Sequence, residues 1–308
     1  MGIYVRTRGR QLDYRFLGAA PEESWWRSYR PVTDTERPTI LLESDGESWR
    51  IYVAGISSQR RDLSDRPIQF NLALDGACAS ADPDADAATR ELALGVIARA
   101  AADLADQLGR AIAGVVLDEQ LPHDDVERML VSPGEETLHE AAAAVRAAYH
   151  DLPDPPADGD LPPGDWAGEF GWVGGIANSP ARGLFLAHVA RLLAGGPGRA
   201  LVLNLFVDDD DVDRLPDVSG GLGVLAARPG LQLDREVREL AGKKAEPPPV
   251  PQSCPEPGKT LLRTSNRVVL LIGLLLAGAL TIWLIPSHSP SPPSHHVSTS
   301  PTPTARSG

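Results

Sequence analysis

The sequence predicts an α+β soluble domain, with an N-terminal antiparallel β-sheet, central helices and a C-terminal α/β portion, followed by one C-terminal transmembrane helix. Three observations carry this reading. Residues 1–75 break into short runs of alternating apolar and polar side chains separated by turn signals. Residues 82–150 change to an apolar period near 3.6. Residues 268–285, VVLLIGLLLAGALTIWLI, carry no charge over a length that matches a bilayer core. The implied organisation is a β-rich part (1–80), a helical part (81–150) and a loop plus α/β part (151–242), together one globular unit. A proline-rich juxtamembrane linker (243–267), the span (268–285) and a Ser/Thr/Pro tail (286–308) expected to be disordered complete it.

Strands are predicted at 3–6, 11–17, 39–43, 49–56 and 67–74. Ser44-Asp45-Gly46-Glu47 joins the third to the fourth, because Asp and Gly accept the backbone angles of a tight turn. Asp82-Pro83-Asp84 caps a helix running to about 117, with Leu92, Val96, Leu104, Leu108, Ile112 and Val115 as its apolar stripe. Further helices are predicted at 122–130 and 135–149. A Pro/Asp/Gly loop (151–165) leads to a Gly- and Trp-rich stretch, 165–175, read as a tight turn with aromatics packed over glycines. After it come a helix (180–194) ended by Gly195-Gly196-Pro197-Gly198, a buried strand at 200–207 (ALVLNLFV) and a short strand at 223–227.

Charge and composition exclude several functions. Residues 1–240 hold 40 acidic and 23 basic side chains, a net of −17 that repels phosphate backbones, so no nucleic-acid partner is expected. The three lysines, Lys243, Lys244 and Lys259, all follow that unit. It therefore lacks the lysine of a Walker loop, a Schiff-base enzyme or a protein kinase. The Ala, Gly, Pro, Asp and Arg bias is that of GC-rich bacterial coding. Cys78 and Cys254 lie far apart and suggest neither a disulfide framework nor a zinc site.

Lys259, Arg263 and Arg267 precede the apolar run and only Arg306 follows it, which predicts a single-pass protein of the cell membrane with its N-terminus cytoplasmic and its tail outside. Gly273, Ala277 and Thr281 recur every fourth residue and mark a face through which two such helices would form a homodimer.

Asp208, Asp210 and Asp213 follow the predicted strand at 200–207, where carboxylates converge on a divalent metal in many α/β proteins; no other cofactor is expected. The alternative is a solvated helix start. Arg60, Arg61 and Arg66 suit an anionic ligand or acidic partner, and Trp25-Trp26 is either a recognition pair or a plug under the sheet. Catalytic residues are not identifiable. The preferred reading is a membrane-tethered cytoplasmic binding or regulatory module that recruits or controls another protein at the inner membrane face. The alternatives are a metal-assisted hydrolase using Asp208 to Asp213 and a structural envelope anchor.

Overall fold

Alternating apolar side chains form strands because only a pleated sheet brings every second residue to one side. The computed structural model describes residues 1–240 except 35–36, 80–81, 107–111, 151, 153–170, 207–208, 217–219 and 228–232, with backbone alone at 209, 210 and 212. The N-terminal strands are β1 (Gly2–Thr7), β2 (Arg15–Phe16), β3 (Thr39–Ser44), β4 (Ser48–Arg61) and β5 (Pro67–Ala77), with a 3-10 helix at Trp25–Tyr29. Four helices follow: α1 (Pro83–Ala105), α2 (Ile112–Gln120), α3 (His123–Val131) and α4 (Glu135–His150). The chain continues through β6 (Trp172–Gly175), α5 (Ser179–Leu193), β7 (Gly198–Leu203), a 3-10 helix at Asp209–Arg214, β8 (Gly221–Ala226) and β9 (Arg238–Glu239).

The nine strands among the described residues form one mixed sheet in the order β2-β1-β5-β4-β3-β7-β8-β6-β9. This corrects the expected separation into an N-terminal antiparallel sheet and a distinct α/β portion. The joint is the antiparallel pair β3–β7, which runs from Ile40 opposite Val202 to Ser44 opposite Gly198. Beyond it, β7 and β6 both lie parallel to β8. The physical reason is burial: Ile40, Leu41, Leu42, Leu201, Val202 and Leu203 are all fully buried. A strand apolar on both faces belongs in the middle of a sheet, but its periodicity does not show which strand lies beside it.

Against the expected pairing of a folded unit with a transmembrane helix, no helix among the described residues is long and apolar enough to cross a membrane. The longest, α1, carries Asp84, Asp86, Arg90, Glu91, Arg99 and Asp103 along its 23 residues. The run 268–285, with Gly273, Ala277 and Thr281, lies outside the described residues, as do the linker and tail.

The sheet separates two cores. On one face Ile3, Val5, Ile40, Leu42, Ile51, Val53, Phe70 and Leu72 pack under α1, α2, α4 and α5. On the other, Leu41, Tyr52, Ala73, Leu201, Leu203 and Val224 meet Trp26, Tyr29, Val32, Phe206 and Leu215, and no α-helix among the described residues joins that cluster. The predicted helix 82–117 is two helices. Asp103, in the last turn of α1, caps the start of α2, its Oδ2 accepting the Ala113 N–H at 2.9 Å.

Helix α5 places His188 against the parallel strands. Its Nε2 lies 3.0 Å from the Arg199 carbonyl and its Nδ1 lies 3.3 Å from Arg191 Nη2. A carbonyl only accepts and a guanidinium only donates, so the proton sits on Nε2 and the ring is neutral. Burial, aided by the Arg191 charge, pulls its pKa down to about 4. The unfolded chain takes up this proton near pH 6.5 and the fold does not. The contribution of His188 is therefore complete above pH 6.5, declines as pH falls toward 4, and amounts to about 3 kcal/mol at most. Urea midpoints measured from pH 7 to pH 4 should fall less steeply in a His188→Gln chain than in the parent.

Candidate anion-binding groove

Side chains two apart on a strand share a face. Arg6 of β1 therefore lies on the sheet face opposite the helices, and Arg8, just past the strand end, extends the row. Arg6 is paired in register with Asn71 of β5, which puts Asn71 and Gln69 on the same side. The β4–β5 turn delivers Arg66, and the β1–β2 connection delivers Asp13 and Tyr14. Together they line a groove of about 300 Å³. Arg6 and Arg8 lie 5.3 and 5.7 Å from the Tyr14 ring centroid, and the Gln69 N–H donates to the Tyr14 hydroxyl at 3.1 Å.

Asp62 organises the cations. Its Oδ2 accepts from Arg8 Nη2 at 3.1 Å and from Arg66 Nε at 3.0 Å, while its Oδ1 accepts the Ser64 and Arg66 amides at 2.8 and 2.9 Å. The Arg66 amide first, then the Ser64 amide and the Arg66 guanidinium, hold the Asp62 carboxyl below its usual range. Arg6 has no carboxylate partner among the described residues. Asp13 sits in the lining, its Oδ1 accepting the Tyr14 N–H at 2.7 Å. Counting Arg6, Arg8, Arg66, Asp13 and Asp62, the groove is +1 within a unit of −17. Guanidinium donors on this face suit planar or tetrahedral anions.

The structure divides the residues predicted from sequence. Of the three arginines, only Arg66 reaches the groove. Arg60 is 8 % exposed, spans β4 to α2 through Asp118 at 3.2 Å, donates to the Thr7 hydroxyl at 2.9 Å and lies over Phe70. Burial pulls its pKa down against the opposing pull of Asp118. Arg61 is exposed and pairs with Asp65. The tryptophans also separate. Trp26 is the plug, stacked on Tyr52 at 4.4 Å with the rings 3° from parallel, whereas half-buried Trp25 is covered by Arg50 at 4.8 Å.

The side chains of Asp208 and Asp210 lie outside the described residues, and Asp213 is exposed. Asp211 pairs with Arg214 at 2.5 Å, and Arg214 also donates to the Pro31 carbonyl. Among the described residues no group of three or more His, Cys, Asp or Glu side chains is placed to hold a metal. Sequence reasoning missed Arg6, Arg8, Asp13, Tyr14, Gln69 and Asn71. The available signal was the alternation Val5-Arg6-Thr7-Arg8, which sets two arginines on one side of a strand.

Among the described residues the fold and groove thus define an α+β unit with a mixed nine-stranded sheet and a cationic groove on the face opposite the α-helices. Comparison with known proteins adds nothing to that class: no family model, no curated protein and no solved structure matches the chain.

Proposed function

We propose that the chain is a binding or regulatory module that recruits or controls another protein at the inner face of a membrane. The observation that carries this reading is Arg6, a guanidinium without a carboxylate partner among the described residues, in an open groove of an otherwise acidic unit. Keeping a cation beside two others costs electrostatic repulsion, which an anionic partner segment removes. Attachment to the membrane rests on the uncharged run 268–285, and the cytoplasmic side on the basic flank Lys259, Arg263 and Arg267.

The recruitment reading is tested by placing a photo-crosslinking residue at Leu63, which is 69 % exposed on the turn that carries Arg66. In native membranes the full chain should give one discrete adduct, lost when Arg6 and Arg66 are both changed to glutamate. An adduct pattern indifferent to those charges, or none, rejects recruitment through the groove. Placement is tested separately: protease added outside intact cells should leave residues 1–240 uncut, and digestion of that unit would reverse the orientation.

A further inference from the structure

We infer that the groove is a phosphate-monoester site, taking a phosphorylated side chain of the recruited protein. The inference rests on the recruitment reading for the carrier of the phosphate, and on the groove alone for its chemistry. Three guanidiniums border one volume of about 300 Å³, and Asp62 is shared by two of them through a single oxygen. The Nε–H of Arg8 is buried and donates to nothing among the described residues. Arg8 therefore keeps donor capacity that Asp62 does not use, within a guanidinium that borders the groove. A carboxylate brings two oxygens and a single charge, fewer acceptors and less charge than three guanidiniums can use. A phosphate monoester brings three terminal oxygens and a charge of about −1.5 to −2, enough to engage Arg6, Arg8 and Arg66 together.

The surroundings narrow the carrier. A polyanion such as nucleic acid would bring many phosphates against a unit of −17 and be repelled, whereas a single monoester places its charge only where the arginines are. Asp13 acts in the same direction, because its carboxylate on the groove wall disfavours an extended run of acidic side chains. The volume exceeds that of the phosphate alone and leaves room for the side-chain stem that bears it. The Tyr14 ring, already flanked by Arg6 and Arg8, offers that stem a flat apolar wall.

Calorimetric titration of the full chain in detergent micelles tests this with four probes: inorganic phosphate, phenyl phosphate, a phosphoserine peptide and the same peptide with glutamate in place of phosphoserine. The phosphopeptide and phenyl phosphate should bind saturably, at least about tenfold more tightly than the glutamate peptide. Arg6→Gln should weaken them about tenfold, and so should Arg66→Gln, a change at a side chain 66 % exposed that leaves the fold intact. Arg146→Gln, on the exposed side of α4, should change nothing. Equal affinity for the glutamate peptide, or phosphate binding indifferent to both groove variants, overturns the inference. Tight phenyl phosphate with no added affinity from the peptide shifts the site to a small free phosphate ester and rejects the peptide carrier. These outcomes separate from the recruitment test: a Leu63 adduct without phosphate selectivity keeps that reading and removes this one, and phosphate selectivity without an adduct does the reverse.

Discussion

Replacing Gly114 with alanine should destabilise the fold by about 3 kcal/mol or more, even after the roughly 1 kcal/mol that alanine gains over glycine inside a helix. Gly114 lies in the first turn of α2, and a Cβ built there would stand 1.8 Å from the Ser57 carbonyl oxygen of β4. Backbone cannot swing aside as a flexible side chain does, so α2 must lift off the sheet. Lifting it would strain the Asp118 contacts to the Ser58 hydroxyl and the Gln59 amide, both 2.6 Å, and the Asp118–Arg60 pair. Gly95 supplies the internal comparison. It sits within α1 with nothing inside 4 Å of its would-be Cβ, so Gly95→Ala should stabilise by about 0.5–1 kcal/mol. Urea unfolding of the two variants should therefore move in opposite directions. Equal shifts of the same sign would mean that α2 does not approach β4 as closely as the structure places it.

What was legible in the sequence follows from which signals carry a period. β1 and β4 were read because apolar residues alternate along them, and α4 because its apolar spacing continues without a break. β6 was missed because Trp172-Val173-Gly174-Gly175 is four residues with two glycines and has no alternation to find, yet all four are buried beside β8. Trp172 packs where Gly223 of β8 has no side chain, so the described part of that stretch is a strand against a glycine of its neighbour and not the expected tight turn over its own glycines. The division of α1 from α2 was hidden because Leu104, Leu108 and Ile112 keep the helical spacing across it. The groove was half legible. Neighbours on a strand point to opposite faces, so Arg60 turns inward while Arg61 stays exposed, and adjacency in sequence misled. Arg6 and Arg8, two apart, carried the better signal, but only the register of β1 on β5 brings Asn71 and Gln69 to them.

The joint between the two halves of the sheet should depend on Glu43, whose replacement by alanine is expected to cost about 3 kcal/mol, the lower end for breaking a buried ion pair because Arg50 stays 42 % exposed. Glu43 of β3 faces Arg50 of β4 on one side and Arg199 of β7 on the other, in register with both. Its Oε2 accepts from Arg50 Nη2 at 2.7 Å and Nε at 2.8 Å, and its Oε1 accepts from Arg199 Nε at 3.1 Å and from the Tyr29 hydroxyl at 2.5 Å. One carboxylate, 13 % exposed, thus ties three strands to the 3-10 helix that lies on the sheet face opposite the α-helices. Burial, then the Glu43 charge, pushes the Tyr29 phenol up, so it remains a donor throughout the pH range of the fold. Tyr29→Phe alone should cost about 1 kcal/mol, the usual worth of one hydrogen bond. In the Glu43→Ala background it should cost almost nothing, because the hydroxyl has already lost its acceptor. A urea double-mutant cycle measures that coupling. Additive costs would show that the Tyr29 hydroxyl draws nothing from Glu43 and that Tyr29 is held by its packing against Trp25 and the apolar side chains of that face.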